Sequence, residues 1–387
     1  MKRLPIIIIL MSVLISCKTS KTIVTPYKVM PITEKSSTIT STGVFYALPR
    51  QNVEVDILVR KQEFIKGPYA EFAEQLLGIK NVIKENNSIY SIENVSISQK
   101  SEVDPNQIYF VQFNDSKLAL EYESGLILSG VNTSRNEFSE QNNRTHPQQV
   151  VQTVRTTNRP LIPMFNLVER TDTVFFNQMV DTQLVQRYNI RTVKTEKTPR
   201  QKAEEIVEQI AKIREDRNRL LTGFQEVNYE AAAIKYMNEE FNRMEDEYIL
   251  LFIGTTKVSY ETAHFDFLPE NKDSLSIELA RFSTSLGLLN SDTWVSDGKK
   301  VTLNITLDDN ILTYIERFSQ NIKLSKNGFY YSIPSLALVK IMLDDQVIYS
   351  TQMPFSQFGT TQSLAPDLLQ IDFSPQTGEI RSVRTIE

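Results

Sequence analysis

GVFYALPRQNVEVDILV, Gly43 to Val59, is the stretch that decides the fold class. Val53, Val55 and Ile57 alternate with Glu54 and Asp56, the period of two that belongs to a strand with one buried face. Its opening phrase returns near the other end of the chain as GFYYSIP, Gly328 to Pro334. Aligning Pro49 with Pro334 matches Gly43 to Gly328 and Tyr46 to Tyr331, and an apolar strand follows in each copy at Val53 and Leu338. A turn is expected next, at Arg60-Lys61-Gln62 in one copy and Asp344-Asp345-Gln346 in the other. Then come PYAEFA at Pro68 and PFSQFG at Pro354. The order and spacing predict a duplicated β-rich module, 43–131 and 254–387.

Between the first copy and the second, the period changes twice. Pro68 and Gly78 bracket a short helix in PYAEFAEQLLG. Strands are expected at Tyr90–Ser98, Ile108–Phe113 and Gly125–Val131, with a turn at Asp104-Pro105-Asn106. Residues 132–158 are crowded with Asn, Gln, Thr and Arg and predict a polar loop or disordered insert. Residues 159–197 return to strand pattern in VFFNQMV and VQRYNIRTVKT.

From 198 to 253 the spacing is helical. Thr198, Pro199 and Gln201 form a capping box with proline at the first helical position, and Gly223 supplies a left-handed stop. Ala203, Ile206, Ile210, Ile213 and Leu220 recur at heptad spacing, with Arg217 in one seat. A second helix from Asn228 carries Ile234, Met237, Phe241, Met244, Tyr248 and Leu251 in steps of three and four. An antiparallel helical hairpin roughly 30–35 Å long follows. Ile210, Ile213, Phe241, Met244 and Tyr248 are its candidate partner contacts. The opposing expectation is packing on the sheets through Leu250, Phe252 and Ile253. The fold class is therefore α+β, mostly β, with two β-rich modules flanking a helical hairpin.

The N-terminus carries an address. Lys2 and Arg3 precede a short apolar run from Leu4 to Ile15, too short for a spanning helix of about 20 residues, and Ser16-Cys17 closes it. LISC resembles the lipobox of bacterial lipoproteins, which implies a signal peptide over 1–16 and lipid on Cys17. Cys17 is the single cysteine, so the chain has no disulfide of its own. Residues 17–42 are rich in Ser and Thr and predict a flexible tether holding the fold roughly 25–30 Å from the membrane.

Composition narrows the chemistry. The net charge is −5, which gives no electrostatic footprint for nucleic acid. There are two histidines, His146 in the polar insert and His264 in VSYETAHFDF. His264 shares a strand face with Tyr260, Thr262 and Asp266, and a hydrogen-bonded surface histidine is a simpler expectation than a general base lacking a marked nucleophile. Two separated histidines supply no zinc cluster, and no nucleophile elbow, Walker loop or dinucleotide turn is present. No metal and no cofactor are expected. Asp308-Asp309 and Asp344-Asp345 fit turns, and Trp294 fits strand packing beside an Asp-Gly hairpin turn at Ser296–Lys299. Asp172-Thr173-Val174 and Asp273-Ser274-Leu275 resemble a short O-glycosylation signal.

The GxxYxxP opening, PYAEFA, the hairpin running into EYILLFIG, ARFS, GFYYSIP and PFSQFG together resemble an uncharacterised family of Bacteroidetes envelope lipoproteins, a domain of unknown function. The resemblance covers nearly all the chain beyond the tether and implies location and fold, not chemistry. Surface-bound lipoproteins of that group carry acidic residues after the cysteine. Here Lys18, Thr19, Ser20 and Lys21 stand there, which points to the periplasm-facing side of the outer membrane. The leading expectation is a lipid-anchored, non-enzymatic binding or scaffolding protein with an envelope protein partner or self-association. The alternative is a glycan or peptide hydrolase using scattered carboxylates.

Overall fold

The computed structural model describes residues 27–32, 42–113, 118–133, 166–180, 183–223, 229–270, 275–307, 313, 317, 328–367 and 369–386. The signal peptide, Cys17, His146, most of the polar insert, Asp308-Asp309 and Asp273-Ser274 lie outside them. In chain order the elements are β1 (Tyr27–Pro31), β2 (Gly43–Ile65), a 3-10 turn at Ala70–Phe72, α1 (Ala73–Leu77), β3 (Asn87–Phe113), β4 (Leu120–Ser124) and β5 (Ile127–Val131). Then come β6 (Leu167–Val180), β7 (Gln183–Glu196), α2 (Pro199–Thr222), α3 (Ala231–Ile253) and β8 (Thr255–Phe267). The last part holds β9 (Leu275–Ser283), β10 (Gly287–Asn290), β11 (Lys299–Leu307), β12 (Phe329–Leu343), β13 (Gln346–Leu364), β14 (Leu369–Phe373) and β15 (Ile380–Thr385). The molecule is α+β and mostly β, as the residue pattern implies.

Two sheets face each other. One runs β1-β3-β2-β5-β14-β15, with β8 on β2 and β4 on β5; the other runs β10-β9-β11-β12-β13. Val53, Val55, Ile57 and Val59 of β2 meet Val301, Leu303 and Ile305 of β11 and Val339 and Ile341 of β12. From Val53 to Val59 every second residue of β2 points into this core, and Glu54 and Asp56 point away from it, as their alternation requires. The sequence modules 43–131 and 254–387 interleave in space: β8 pairs with β2, and β14 pairs with β5.

The two repeated phrases share one geometry. Gly43–Ala47 pairs with Ile108–Gln112, and Phe329–Ile333 pairs with Thr360–Leu364. In each hairpin the ladder then jumps. One residue, Leu48 or Pro334, stands against four on the partner strand, 104–107 or 356–359. Ala47 N–H reaches out to the Leu126 carbonyl, and its counterpart Ser332 reaches the Gly378 carbonyl, each in the turn of a following short hairpin. A Cβ on Gly359 would sit 1.9 Å from the Ile333 carbonyl oxygen, so this bulge requires glycine. PFSQFG is thus the counterpart of the 104–107 bulge and not of PYAEFA, which is helical. The expected equivalence of those two segments is corrected accordingly.

Three further expectations change. β2 runs through Arg60-Lys61-Gln62 without a turn, because β3 and β8 flank it to Phe64 and beyond. Asp104-Pro105-Asn106 is a bulge inside one long strand, stabilised by Asn106 N–H donating to the Asp104 carboxylate. Within the expected tether, Tyr27–Pro31 is a strand on β3, because Tyr27 and Val29 alternate with Lys28 and bury in the second core.

That second core holds the phrases together. Tyr46 and Phe329 pack at 5.6 Å, Tyr109 and Tyr330 stack at 4.5 Å, and Tyr27 closes on Phe329 at 5.9 Å. The Tyr330 N–H donates to the Tyr46 hydroxyl at 2.8 Å. Burial holds the Tyr46 hydroxyl well above the usual phenol range, so it stays a neutral donor and acceptor. We expect Tyr46→Phe to cost about 1–3 kcal/mol, because it leaves that N–H without its acceptor. Urea unfolding should show a lower midpoint with an unchanged slope; an unchanged midpoint would mean the bond contributes nothing.

Candidate functional site

β2 and β8 build the densest group of ionisable side chains on the outer face of the first sheet. Their antiparallel register sets His264 opposite Asp56 and Asp266 opposite Glu54. His264 Nδ1 lies 2.7 Å from Asp56 Oδ1, and Nε2 lies 3.7 Å from Asp266 Oδ1. Ser98 on β3 donates to Glu54 Oε2 at 3.1 Å. The hydrogen bond to Asp56 raises the imidazole above its ordinary range, and the charges of Asp56, Asp266 and Glu54 add to it against a smaller desolvation effect. An imidazole with a carboxylate at each nitrogen favours its protonated form, so it serves poorly as a general base and well as an ionic clamp between two strands.

Glu54, His264 and Asp266 also offer ligand atoms within 4.8 Å of one another. One imidazole and two carboxylates are a donor set for a divalent cation of borderline softness. The sequence reading saw no zinc cluster because its members come from two strands some 200 residues apart. All three project from a flat, solvated face, where an ion would compete with water and with the Asp56 hydrogen bond.

The other acidic candidates have structural work. Asp344 takes a positive φ of 50° in the β12–β13 turn, and its carboxylate accepts from Lys300 N–H at 2.7 Å. An open groove of about 450 Å³ between the two short hairpins is lined by Glu121, Asp372, Arg381 and Arg384. Asp372 accepts from Ser382 at 2.5 Å, and arginines share the rim, so no pair of buried, mutually repelling acids forms there. The Ser296–Asp297 turn leads into β11, but β11 lies beside β9 and not β10, so this is no hairpin. Asp297 instead accepts from Ser283 at 2.8 Å. Trp294 in that connection is 80 % exposed, which corrects its expected role in strand packing: it lies in the loop, outside both strands.

The helical hairpin is built as its spacing implies. Thr198 and Gln201 form the capping box, and Gly223 ends α2 at φ 75°. α3 begins at Ala231 rather than Asn228, with Glu230 as its cap residue. Ile210, Ile213 and Tyr248 are buried in the hairpin's own core with Ile206, Phe252 and Ala73, and Phe241 and Met244 pack against the same cluster. Within the chain these five side chains line the contact between α2 and α3, Phe241 and Met244 being only partly buried there. Nor does the hairpin lie on the sheets: its base docks on the α1 segment, where Tyr69 packs on Phe252 at 5.7 Å. Arg217, the polar intruder in the heptad, reaches Glu245 at 2.8 Å while Arg214 holds the other carboxylate oxygen at 2.7 Å.

What the pattern missed is the β6–β7 ribbon. Its strands were legible, but its isolation was not: among the described residues β6 pairs with β7 alone. One face carries Phe175, Met179, Leu184, Tyr188 and Ile190, each 62–68 % exposed. The register sets Phe175 beside Tyr188, Met179 beside Leu184 and Thr173 beside Ile190. The other face carries Arg170, Asp172, Arg187 and Arg191 together with exposed Val174, Phe176 and Val185. This is a broad apolar display on the described surface, and the local signal for it is the run Val174-Phe175-Phe176.

The histidine clamp gives a direct prediction. Asp56→Asn should lower the His264 pKa, followed by NMR titration of its ring protons. Because the folded value is the raised one, the clamp's stabilisation is full below about pH 6.5 and is lost as pH rises through the folded value. A histidine that titrates identically in both proteins would remove Asp56 as the cause.

Neither the curated proteins nor the solved structures compared with this chain include a match. A family model described as a domain of unknown function, DUF4831, matches residues 42–381, from the residue before the first phrase to the last strand. The chain therefore belongs to the DUF4831 family.

Proposed function

We propose that the protein is a lipid-anchored cell-envelope protein that works by binding or scaffolding. Its mature end is Cys17, acylated, on the periplasm-facing side of a bacterial outer membrane. The observation that carries the binding reading is the exposed apolar face of the β6–β7 ribbon. A lone two-stranded ribbon is marginal in water, and apolar display on this scale marks an interaction surface.

The placement of the ribbon supports the same reading. β1 begins ten residues after Cys17 and pairs beside the Gly43 end of β2. The ribbon emerges at the start of α2, which packs on α1 beyond the opposite end of β2. At about 3.3 Å per residue, the 23 residues of β2 separate those ends by up to roughly 75 Å. β1, the described strand nearest Cys17 in sequence, lies at one end of β2, and the apolar arm is based beyond the other. A hydrolase of glycan or peptide is the competing reading. Both acidic clusters lie open to solvent and already contain a basic partner, and this favours binding over catalysis.

Two measurements test the proposal. Cys17→Ala should move the protein from the membrane fraction to the soluble fraction; retention in the membrane would defeat the anchor. Lys197 N–H donates to the Asn166 carbonyl at 2.7 Å, so 167–196 can be replaced by a short turn without moving the base. That variant should melt like the parent and lose the cross-linked species seen in whole cells. The same cross-linked species in a folded, ribbonless protein would defeat the binding reading.

A further inference from the structure

We propose that the free edge of β6 pairs with β6 of a second copy of this chain, antiparallel and centred on Thr171. The inference rests on the ribbon being a binding element and names what it binds. Two physical facts demand an occupant. β6 and β7 each run fourteen residues with an outer edge unpaired among the described residues, and nearly all their side chains are exposed. Such an edge is a template for another strand, and three or more strands are needed for a sheet to stand in water.

The charge pattern of β6 selects the partner. A two-fold axis through the sheet keeps each side chain on its own face, so each residue meets one of matching parity. Centred on Thr171, Arg170 meets Asp172 of the second copy and Asp172 meets Arg170. On that same face Val168 meets Val174. On the apolar face Leu167 meets Phe175, extending the Phe175–Tyr188 row, whose rings lie 6.3 Å apart within one ribbon. Within one chain Arg170 reaches its own strand's Asp172 at 3.6 Å, with both side chains largely exposed, and Asp172 stands opposite Arg191 of β7. Neighbouring registers lose the match: centring on Arg170 or on Asp172 sets like charges face to face. The β7 edge offers no such match: on that face its charges are Arg187 and Arg191, with no acid to answer them, and a centre at Asn189 brings the two together. Cross-strand opposite charges and apolar pairs stabilise a sheet, and like charges destabilise it. The result is a four-stranded sheet, β7-β6-β6-β7, with both apolar clusters on one face and Glu169, Thr171 and Thr173 at the seam between them.

A lipid surface fits less well. The ribbon's base lies beyond the end of β2 remote from β1, and its charges are mixed in sign, Arg170 with Asp172 and Glu169 with Lys194, rather than uniformly basic as an anionic headgroup layer would favour.

The test uses the full chain with Cys17→Ser, which removes its only cysteine. Thr171→Cys should give a disulfide-linked dimer under mild oxidation, since paired residues across an antiparallel ladder lie about 4.5–5.5 Å apart at Cα, within disulfide reach. Asn189→Cys, on the outer strand, should not. In sedimentation, Arg170→Asp and Asp172→Arg should each weaken dimerisation at least about tenfold, and the double variant should restore it. Circular dichroism confirms that each variant is folded. Equal cross-linking at 171 and 189, or no rescue by the double exchange, would overturn the proposal. A folded monomer that cross-links to other envelope proteins through the ribbon, or floats with phosphatidylglycerol vesicles, would overturn the second copy while leaving the binding reading standing. A folded monomer with no ribbon-dependent contact of any kind would overturn both.

Discussion

The hydrogen bond from Tyr330 N–H to the Tyr46 hydroxyl ties together residues 284 positions apart, and the architecture turns on that joint. Around it five aromatic rings from β1, β2, β3 and β12 close a core without any covalent staple among the described residues. A contact so distant in sequence carries a large loop-closure cost, so it must form within a cluster that stabilises as a unit. The matched bulges explain how the cluster is reached. Each re-aims its hairpin by one residue against four, turning the aromatic phrase out of the main sandwich and toward its counterpart. Gln51 completes the joint from the other side. Its side-chain oxygen accepts from Ser356 N–H at 2.5 Å, and Gln357 returns a bond to its carbonyl at 2.8 Å.

Local signals were legible where the physics is local. The capping box at Thr198, the left-handed Gly223 and the step pattern of α2 and α3 all act within a few residues, and all three appear as read. Strand ends were harder. Arg60-Lys61-Gln62 has the polarity of a turn, yet β2 continues because partners on both sides supply its backbone hydrogen bonds. Asp104-Pro105 has the composition of a turn, yet the chain only bulges. PYAEFA and PFSQFG look alike in letters and differ in role, because what separates them is the partner strand opposite. A heptad seam shows which side chains are buried, but not whether the burial is within the chain or against another; Ile210 and Tyr248 are buried within it.

The ionic clamp and the ribbon show the same limit at the surface. His264 and Asp266 were visible as neighbours on one strand face, but Asp56, which sets the imidazole's charge, arrives through a register 208 residues long. The outward alternation of Glu54 and Asp56 was the available signal, and it named a solvated face without naming what lay beside it. For the ribbon, strand propensity in Val174–Phe176 was plain. Only the sheet order shows that, among the described residues, no further strand pairs with it.

Edge management sharpens the meaning of that exposure. At the margins of the two sheets, β1 is five residues and ends in Pro31, β10 is four residues, and β15 is six and carries Arg381 and Arg384. β13 is long, but Pro354 and the four-residue bulge at 356–359 break its ladder. β8 carries Lys257, Glu261, His264 and Asp266 along its length. Short length, proline, bulges and charge are the ordinary defences against edge-to-edge association, and this chain uses all four. β6 departs from that practice. It is fourteen residues long, has no proline and no bulge, and lays Phe175 and Met179 on one open face. Its charges do not simply repel: Arg170 and Asp172 flank Thr171 symmetrically with opposite sign, so they oppose the two adjacent registers and favour the one between them. A chain that blunts its other sheet margins and leaves this one long, regular and charge-matched has kept an edge for pairing.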